Sequence, residues 1–295
     1  MIPRRNTINS QTIWLRIIIV CLLLFISGSS WPVGAVIGQA ASDGPVGPGA
    51  VYLALGDSLA TGTEESNNDD GLPGYPAVLF ERLRTRYPAI DYENLARDGE
   101  DSTTMLAADG QLDQAIARIN ELGVAGTPVG LVTLSIGGND IVSILPPNNA
   151  DPAATLATFR ANFAIVLDRL QAALLATDGQ RQADLLVMDY YNPYPGLLLL
   201  GIGDMAGEWI PQFNAAIRDI ASERGIPVVR VADAFVGREV DLIYVQRPYP
   251  TSFLDPLIRQ RLDYHPRPAG HEIIAAAFWR ANGYGSTVYL PIIVQ

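Results

Sequence analysis

The chain contains no lysine; all 20 of its basic residues are Arg. That excludes Schiff-base chemistry and a P-loop lysine holding a phosphate. It has one cysteine, Cys21, and two histidines, His265 and His271. A disulfide, a cysteine-rich zinc site and an iron–sulfur cluster are excluded on that count. Any imidazole needed for catalysis must come from one of two positions. Acidic residues number 31, so the formal charge is -11. A nucleic-acid partner, which demands a basic face, does not fit that balance. What is present is a globular composition, 48% hydrophobic and 17% charged, at a length of 295 residues. That length suits one large domain or two small ones.

The first 40 residues read as an export leader rather than as fold. Arg4, Arg5 and Arg16 precede an apolar run from Ile17 to Ile26, and small residues follow up to Gly38-Gln39-Ala40. Basic, apolar, then small is the order of a secretory signal. The run is about half of the roughly 20 residues a spanning helix needs, so a membrane anchor is the weaker reading. Residues 1–40 hold three Arg and no acid. Their removal leaves 17 basic against 31 acidic residues, a charge of −14, and no cysteine. The expected product is an exported protein with no stable membrane insertion, whose stability rests on its core rather than on disulfides.

Residues 41–49, rich in Gly and Pro, read as a linker. Apolar strand-like runs then alternate with helical patterns. Strands are predicted at Val51–Leu55, Ile90–Leu95, Val129–Ile136, Leu185–Met188 and Val228–Val231. Helices are predicted at Tyr75–Tyr87, Leu112–Leu122, Ala153–Ala176, Trp209–Arg224 and Glu272–Arg280, with Gly225 as a C-terminal cap. Such alternation argues an α/β fold, a parallel sheet covered on both faces. The domain is expected over residues 50–285, followed by a short apolar tail over 286–295.

Ligands of an open parallel sheet bind beyond the carboxyl ends of its strands. Those ends carry Gly56-Asp57-Ser58, then Asn94 to Gly99, then Gly137-Gly138-Asn139-Asp140, and after a long loop Asp263-Tyr264-His265-Pro266. A serine, a glycine turn, an asparagine and a histidine converge on one edge. Acyl transfer needs such a set: a hydroxyl nucleophile, an imidazole to take its proton and fixed donors for the oxyanion. Ser58 alone is also what a helix N-cap looks like, but capping would not require Asn139 and His265.

Ala54-Leu55-Gly56-Asp57-Ser58-Leu59 resembles the first block of the SGNH (GDSL) hydrolase family. Asn94 with Gly99 is similar to its second block, Gly137-Gly138-Asn139-Asp140 to its third, and His265-Pro266 with Gly270-His271 to its last. The blocks occur in family order from residue 51 to about residue 280. The resemblance implies a three-layer α/β/α sandwich, flavodoxin-like, with a five-stranded parallel sheet and neither metal nor cofactor. It implies Ser58 as nucleophile and His265 as general base. The N–H groups of Ser58 and Gly99 and the Asn139 amide would form the oxyanion hole. His271 is read as a packing or capping residue, and Asp57 and Asp140 as loop braces.

The chain departs from the family pattern at the third member of the triad. The position three before the base is Leu262, and the acid is Asp263, two before it. Residues two apart share a side only on extended backbone. Asp263 is favoured as the orienter, with Asp255 or a backbone carbonyl as alternatives. An α/β-hydrolase also orders Ser, Asp and His, but its Gly-x-Ser-x-Gly elbow lacks its last Gly here. The substrate is expected to be a small-molecule or glycan ester. Leu197–Leu200 would suit an acyl chain, and Tyr190, Tyr191, Tyr194 and Tyr249, read as exposed, would suit sugar stacking. The readings are a secreted esterase or lipase, a carbohydrate O-acetylesterase, and a non-catalytic glycan- or lipid-binding protein.

Overall fold

The computed structural model describes residues 49–62, 73–146, 148–175, 183–194, 202–244 and 263–283. The leader, nearly all of the linker, the tail, Leu197–Leu200, Tyr249, Asp255 and Leu262 lie outside the described residues. In chain order, β1 (Val51–Gly56) leads into the one-turn α1 (Ser58–Thr61), then α2 (Tyr75–Arg86) and β2 (Asp91–Asn94). Next come α3 (Ser102–Met105), α4 (Gln111–Val124), β3 (Val129–Ser135), α5 (Gly138–Ile144) and α6 (Pro152–Ala173). After these follow β4 (Asp184–Met188), α7 (Ile202–Glu223), β5 (Val228–Val229), α8 (Val231–Phe235), α9 (Glu239–Leu242) and α10 (Pro268–Ala281).

The five strands pair in parallel in the order β2-β1-β3-β4-β5. Residue type follows position in the sheet. The inner strands β1 and β3 are apolar and buried along their whole length, as strands covered on both faces must be. The one polar pair inside them, Tyr52 Oη and Thr133 Oγ1, is satisfied by a mutual hydrogen bond of 2.8 Å. The edges are polar or short: β2 reads Asp-Tyr-Glu-Asn and β5 has two residues.

The helices pack in two groups, α2 with α10 on one face and α4, α6 and α7 on the other. On the first face α10 packs on α2, where Tyr75 stacks on Phe278 at 4.9 Å between centroids. On the second, Phe159 of α6 meets Phe213 of α7 at 5.3 Å. These rings are fully buried, and each such side chain stabilises the fold by roughly 1.5–3 kcal/mol. The result is the expected three-layer sandwich. The strand order reverses between β1 and β3, and a crevice opens there at the carboxyl ends of the strands.

Candidate active site

β1 ends at Gly56, whose φ is +135°. A Cβ there would lie 2.2 Å from the Ser135 carbonyl oxygen, so β1 can turn this tightly against β3 only with glycine. Gln111 holds the turn from both sides. Its Oε1 accepts the Gly56 N–H at 2.6 Å, and its Nε2 donates to the Gly56 carbonyl at 2.8 Å. The N-cap of α1 is Asp57, whose Oδ1 accepts the Leu59 N–H. Ser58 is therefore not spent on capping, and its hydroxyl faces elsewhere.

That hydroxyl faces His265. Ser58 Oγ lies 2.7 Å from His265 Nε2, and His265 Nδ1 lies 2.8 Å from Asp263 Oδ1. All three are buried; Ser58 is the most open, at 9% exposure. An ionised carboxylate only accepts, so the ring carries its hydrogen on Nδ1 and presents the Nε2 lone pair to the Ser58 O–H. The two-residue spacing works because Asp263 Oδ1 also accepts the His265 backbone N–H at 3.0 Å. This Asx-type turn curls the carboxylate back onto the residue two places on. Ile243 and Pro266 form an antiparallel bridge, and Tyr191 Oη donates to the Tyr264 carbonyl at 2.7 Å, so the His265 loop is tied on two sides.

The three donors expected around Ser58 each keep a hydrogen without an acceptor among the described residues. The N–H groups of Ser58 and Gly99 have no acceptor among the described residues. Gly99, at φ +72°, sits in a turn fastened to β1 by the Arg97 N–H bond to the Gly56 carbonyl. Asn139, on the first turn of α5, uses one amide hydrogen on the Glu100 carbonyl at 2.8 Å and keeps the other. Asp140 braces the same region, accepting the N–H and hydroxyl of Ser102. Glu100 and Gln111 were not singled out from the sequence; Gln111 Nε2 donates to Glu100 Oε2 and so joins the Gly56 turn to the Gly99 turn. We expect Asn139→Ala to lower kcat about 10²–10³-fold, the usual loss for one oxyanion donor. Steady-state kinetics on a soluble ester checks it, and a loss below tenfold would make Asn139 a structural residue only.

Asp57 accepts hydrogen bonds from Tyr190 Oη at 2.8 Å and Ser135 Oγ at 3.0 Å. Burial nevertheless pushes its carboxyl up to about 6. Tyr190, Tyr191 and Tyr194, read from sequence as exposed, are buried at 5% each. Their place at the end of β4 turns the rings inward, where they line a cavity of about 40 Å³ beside Ser58 and Asn139. They form walls and leave no free face for a sugar.

His271 stands apart from this chemistry. Its Nδ1 accepts the Tyr75 N–H at 3.1 Å, which caps α2 from α10. Burial, aided by nearby His265, lowers its pKa to about 4. The ring must stay neutral to accept, whereas in the unfolded chain it titrates near 6.5. Between those values only the unfolded state binds the proton. The stabilisation is therefore whole above about pH 6.5 and is lost as pH falls toward about 4. His271→Gln does not titrate, and the other groups cancel in the comparison. We expect the stability of wild type relative to His271→Gln to fall by roughly 2–3 kcal/mol from pH 7.5 to pH 4.5. Urea denaturation at both values measures it; a pH-independent difference would contradict the neutral cap.

Among the described residues, no group of three or more His, Cys, Asp or Glu is placed to hold a metal ion. Residues 54–273 match the GDSL-like lipase/acylhydrolase family. The chain belongs to that family. It is thus an SGNH/GDSL hydrolase acting on carboxylic esters. It is 26% identical over 212 residues to the spore germination lipase LipC of Bacillus licheniformis, covering 68% of this chain and 89% of that protein. The fold is similar to a Parabacteroides merdae protein described as a GDSL-like lipase, with TM-score 0.55 and 16% identity over 80% of this chain and 97% of that one. It is also similar to an acetylxylan esterase from Geobacillus stearothermophilus, with TM-score 0.52 and 19% identity over 81% of this chain and 96% of that one.

Proposed function

We propose that this GDSL hydrolase is exported and cleaves its esters through an acyl-enzyme on Ser58. The observation that carries the reading is the unbroken hydrogen-bond chain from Ser58 through His265 to Asp263. In this scheme His265 Nε2 takes the Ser58 proton as Oγ attacks the ester carbonyl carbon. The oxyanion is met by the N–H groups of Ser58 and Gly99 and the free Asn139 hydrogen. Asp263 holds the ring orientation and stabilises the imidazolium. His265 then gives its proton to the departing alcohol as the carbon–oxygen bond breaks. Water, deprotonated by the same ring, repeats the sequence on the acyl-enzyme and frees the acid. A solved acetylxylan esterase of the same fold has catalytic mutants at a Ser, an Asp and a His, the same three residue types.

Export is supported by the basic–apolar–small order of residues 1–40. No helix among the described residues is long and apolar enough to cross a membrane. A non-catalytic binding role would leave the Ser58–His265 contact without purpose. The test is covalent. A fluorophosphonate probe is expected to add its phosphonyl mass to Ser58 and to block hydrolysis of p-nitrophenyl acetate in parallel. Active protein labelled at any other residue, or inhibited without a mass gain on Ser58, would overturn the acyl-enzyme.

A further inference from the structure

We infer that Gln111 is a positioning residue of the hydrolysis: its buried amide holds in register the two turns that carry Ser58 and Gly99. The inference rests on the proposed acyl-enzyme and adds to it a residue outside both the triad and the oxyanion hole. Gln111 is fully buried and does not line the cavity beside Ser58. It stands at the first position of α4. That helix packs on β3 and α6, so the amide is carried by a fixed element rather than by a loop.

The amide has no freedom left. Its two hydrogens go to the Gly56 carbonyl and to Glu100 Oε2, the latter at 3.0 Å, and its oxygen takes the Gly56 N–H. A flipped amide would set its NH2 against the Gly56 N–H, donor against donor, so one orientation is allowed. Glu100 depends on this arrangement. It is buried, and its Oε1 has no hydrogen-bond partner among the described residues. Gln111 supplies the one bond that the Glu100 carboxyl receives among those residues.

The two residues that Gln111 binds lead directly to the expected donors. Ser58 stands two residues after Gly56, and Gly99 stands immediately before Glu100. The Glu100 carbonyl accepts the Asn139 amide at 2.8 Å. Removing the Gln111 amide would leave the Glu100 carboxyl buried and unpaired, a penalty relieved if the side chain turns out toward water. Such a turn moves the Gly99 N–H and the Asn139 anchor together. Other ties remain: the Arg97 N–H bond to the Gly56 carbonyl, and the Thr61–Asp98 pair at the exposed rim. The fold therefore survives the loss, while the donors shift. Oxyanion donors act only at their set distance, and about 1 Å of misplacement can cost about 10²-fold in rate.

The experiment uses the full-length protein, steady-state kinetics on p-nitrophenyl acetate and a thermal melt of each variant. Gln111→Met keeps the side chain's length and removes all three bonds. We expect it to lower kcat about 10–100-fold with KM changed less than about threefold, since the oxyanion forms only in the transition state. In an Asn139→Ala background the same change should cost at least about fivefold less, because part of what it misplaces is already gone. Gln111→Glu keeps the acceptor for the Gly56 N–H, loses both donors and should be as slow as Gln111→Met. Adding Glu100→Gln to it restores a donor and an acceptor between the two positions and should recover at least about fivefold in kcat. A folded Gln111→Met with kcat within about threefold of wild type overturns the inference, as does a loss that multiplies with Asn139→Ala or one confined to KM. Where Gln111→Met does not fold, the swapped pair decides. A folded double variant no faster than Gln111→Glu, or three unfolded variants, makes Gln111 a folding residue only. Wild type labelled at Ser58 by the phosphonate probe, with indifferent Gln111 variants, fails here alone. Wild type left unlabelled at Ser58 fails earlier, at the acyl-enzyme itself, and takes this inference with it.

Discussion

Ser58→Ala is expected to abolish ester turnover, lowering kcat on the order of 10⁶-fold, in a protein that folds as wild type does. The size follows from how the site divides its labour. The oxyanion donors and the binding pocket remain, and alone they supply about 10³–10⁴ over water. Covalent capture of the acyl group, the larger share, is gone. Folding is spared because Ser58 carries no structural duty. Asp57 caps α1, Gln111 holds the Gly56 turn, and among the described residues the Ser58 hydroxyl bonds only to His265. Loss of one hydrogen bond at a site 9% exposed should cost about 1 kcal/mol. The measurements are single-turnover kinetics on p-nitrophenyl acetate and a thermal melt on the same sample. A folded variant with an unchanged rate would remove Ser58 from the chemistry and with it the acyl-enzyme.

The parts of the fold that were legible are those where one principle dominates. β1, β3 and β4 announce themselves as apolar runs because both faces are covered. β5 was read as Val228–Val231 but pairs over Val228–Val229 only, because it is an edge and Val231 already opens α8. Helix α7 begins at Ile202, seven residues before the predicted Trp209. Gly203, Gly207 and Pro211 argue locally against helix there. Burial of Ala206, Ile210, Phe213 and Ala216 on one stripe outweighs them. The short helices α1, α3 and α5, of four, four and seven residues, are too short to show a period. Each is instead fixed by what caps it or by the strand it follows.

The site divides in the same way. Ser58, Asn139 and His265 stand in local blocks that the chain spells out in order. Asp263 was favoured over Asp255 and a backbone carbonyl, but the Asx bond that accompanies its reach leaves no mark in the sequence. The supporting layer was hidden altogether. Gln111 meets Gly56 across 55 positions, Tyr191 meets Tyr264 across 73, and Tyr190 meets Asp57 across 133. None of these pairs has a spacing that any local period could reveal. The tyrosines were misjudged for a related reason. A loop rich in aromatics after a strand looks exposed in one dimension, and only the sheet order shows that it folds back over the switch point.

The two histidines offer the second large test. His265→Gln should lower kcat about as far as Ser58→Ala does, and the double variant should be no slower than either single one. A glutamine amide neither accepts the Ser58 proton nor returns it to the alcohol. Without that transfer the hydroxyl stays a weak nucleophile, and removing it as well changes little more. His271→Gln, in the same assay near pH 7.5, should retain most of the wild-type rate. Its ring faces the Tyr75 N–H on α2 rather than the crevice. Stopped-flow burst amplitudes separate acylation from deacylation in all four proteins. Losses that multiply in the double variant would mean that Ser58 and His265 act independently, and their 2.7 Å contact would then be structural. Loss at His271 with activity kept at His265 would move the base to the other end of the last block, since the described residues of this lysine-free chain contain no other imidazole or amine base to take the proton.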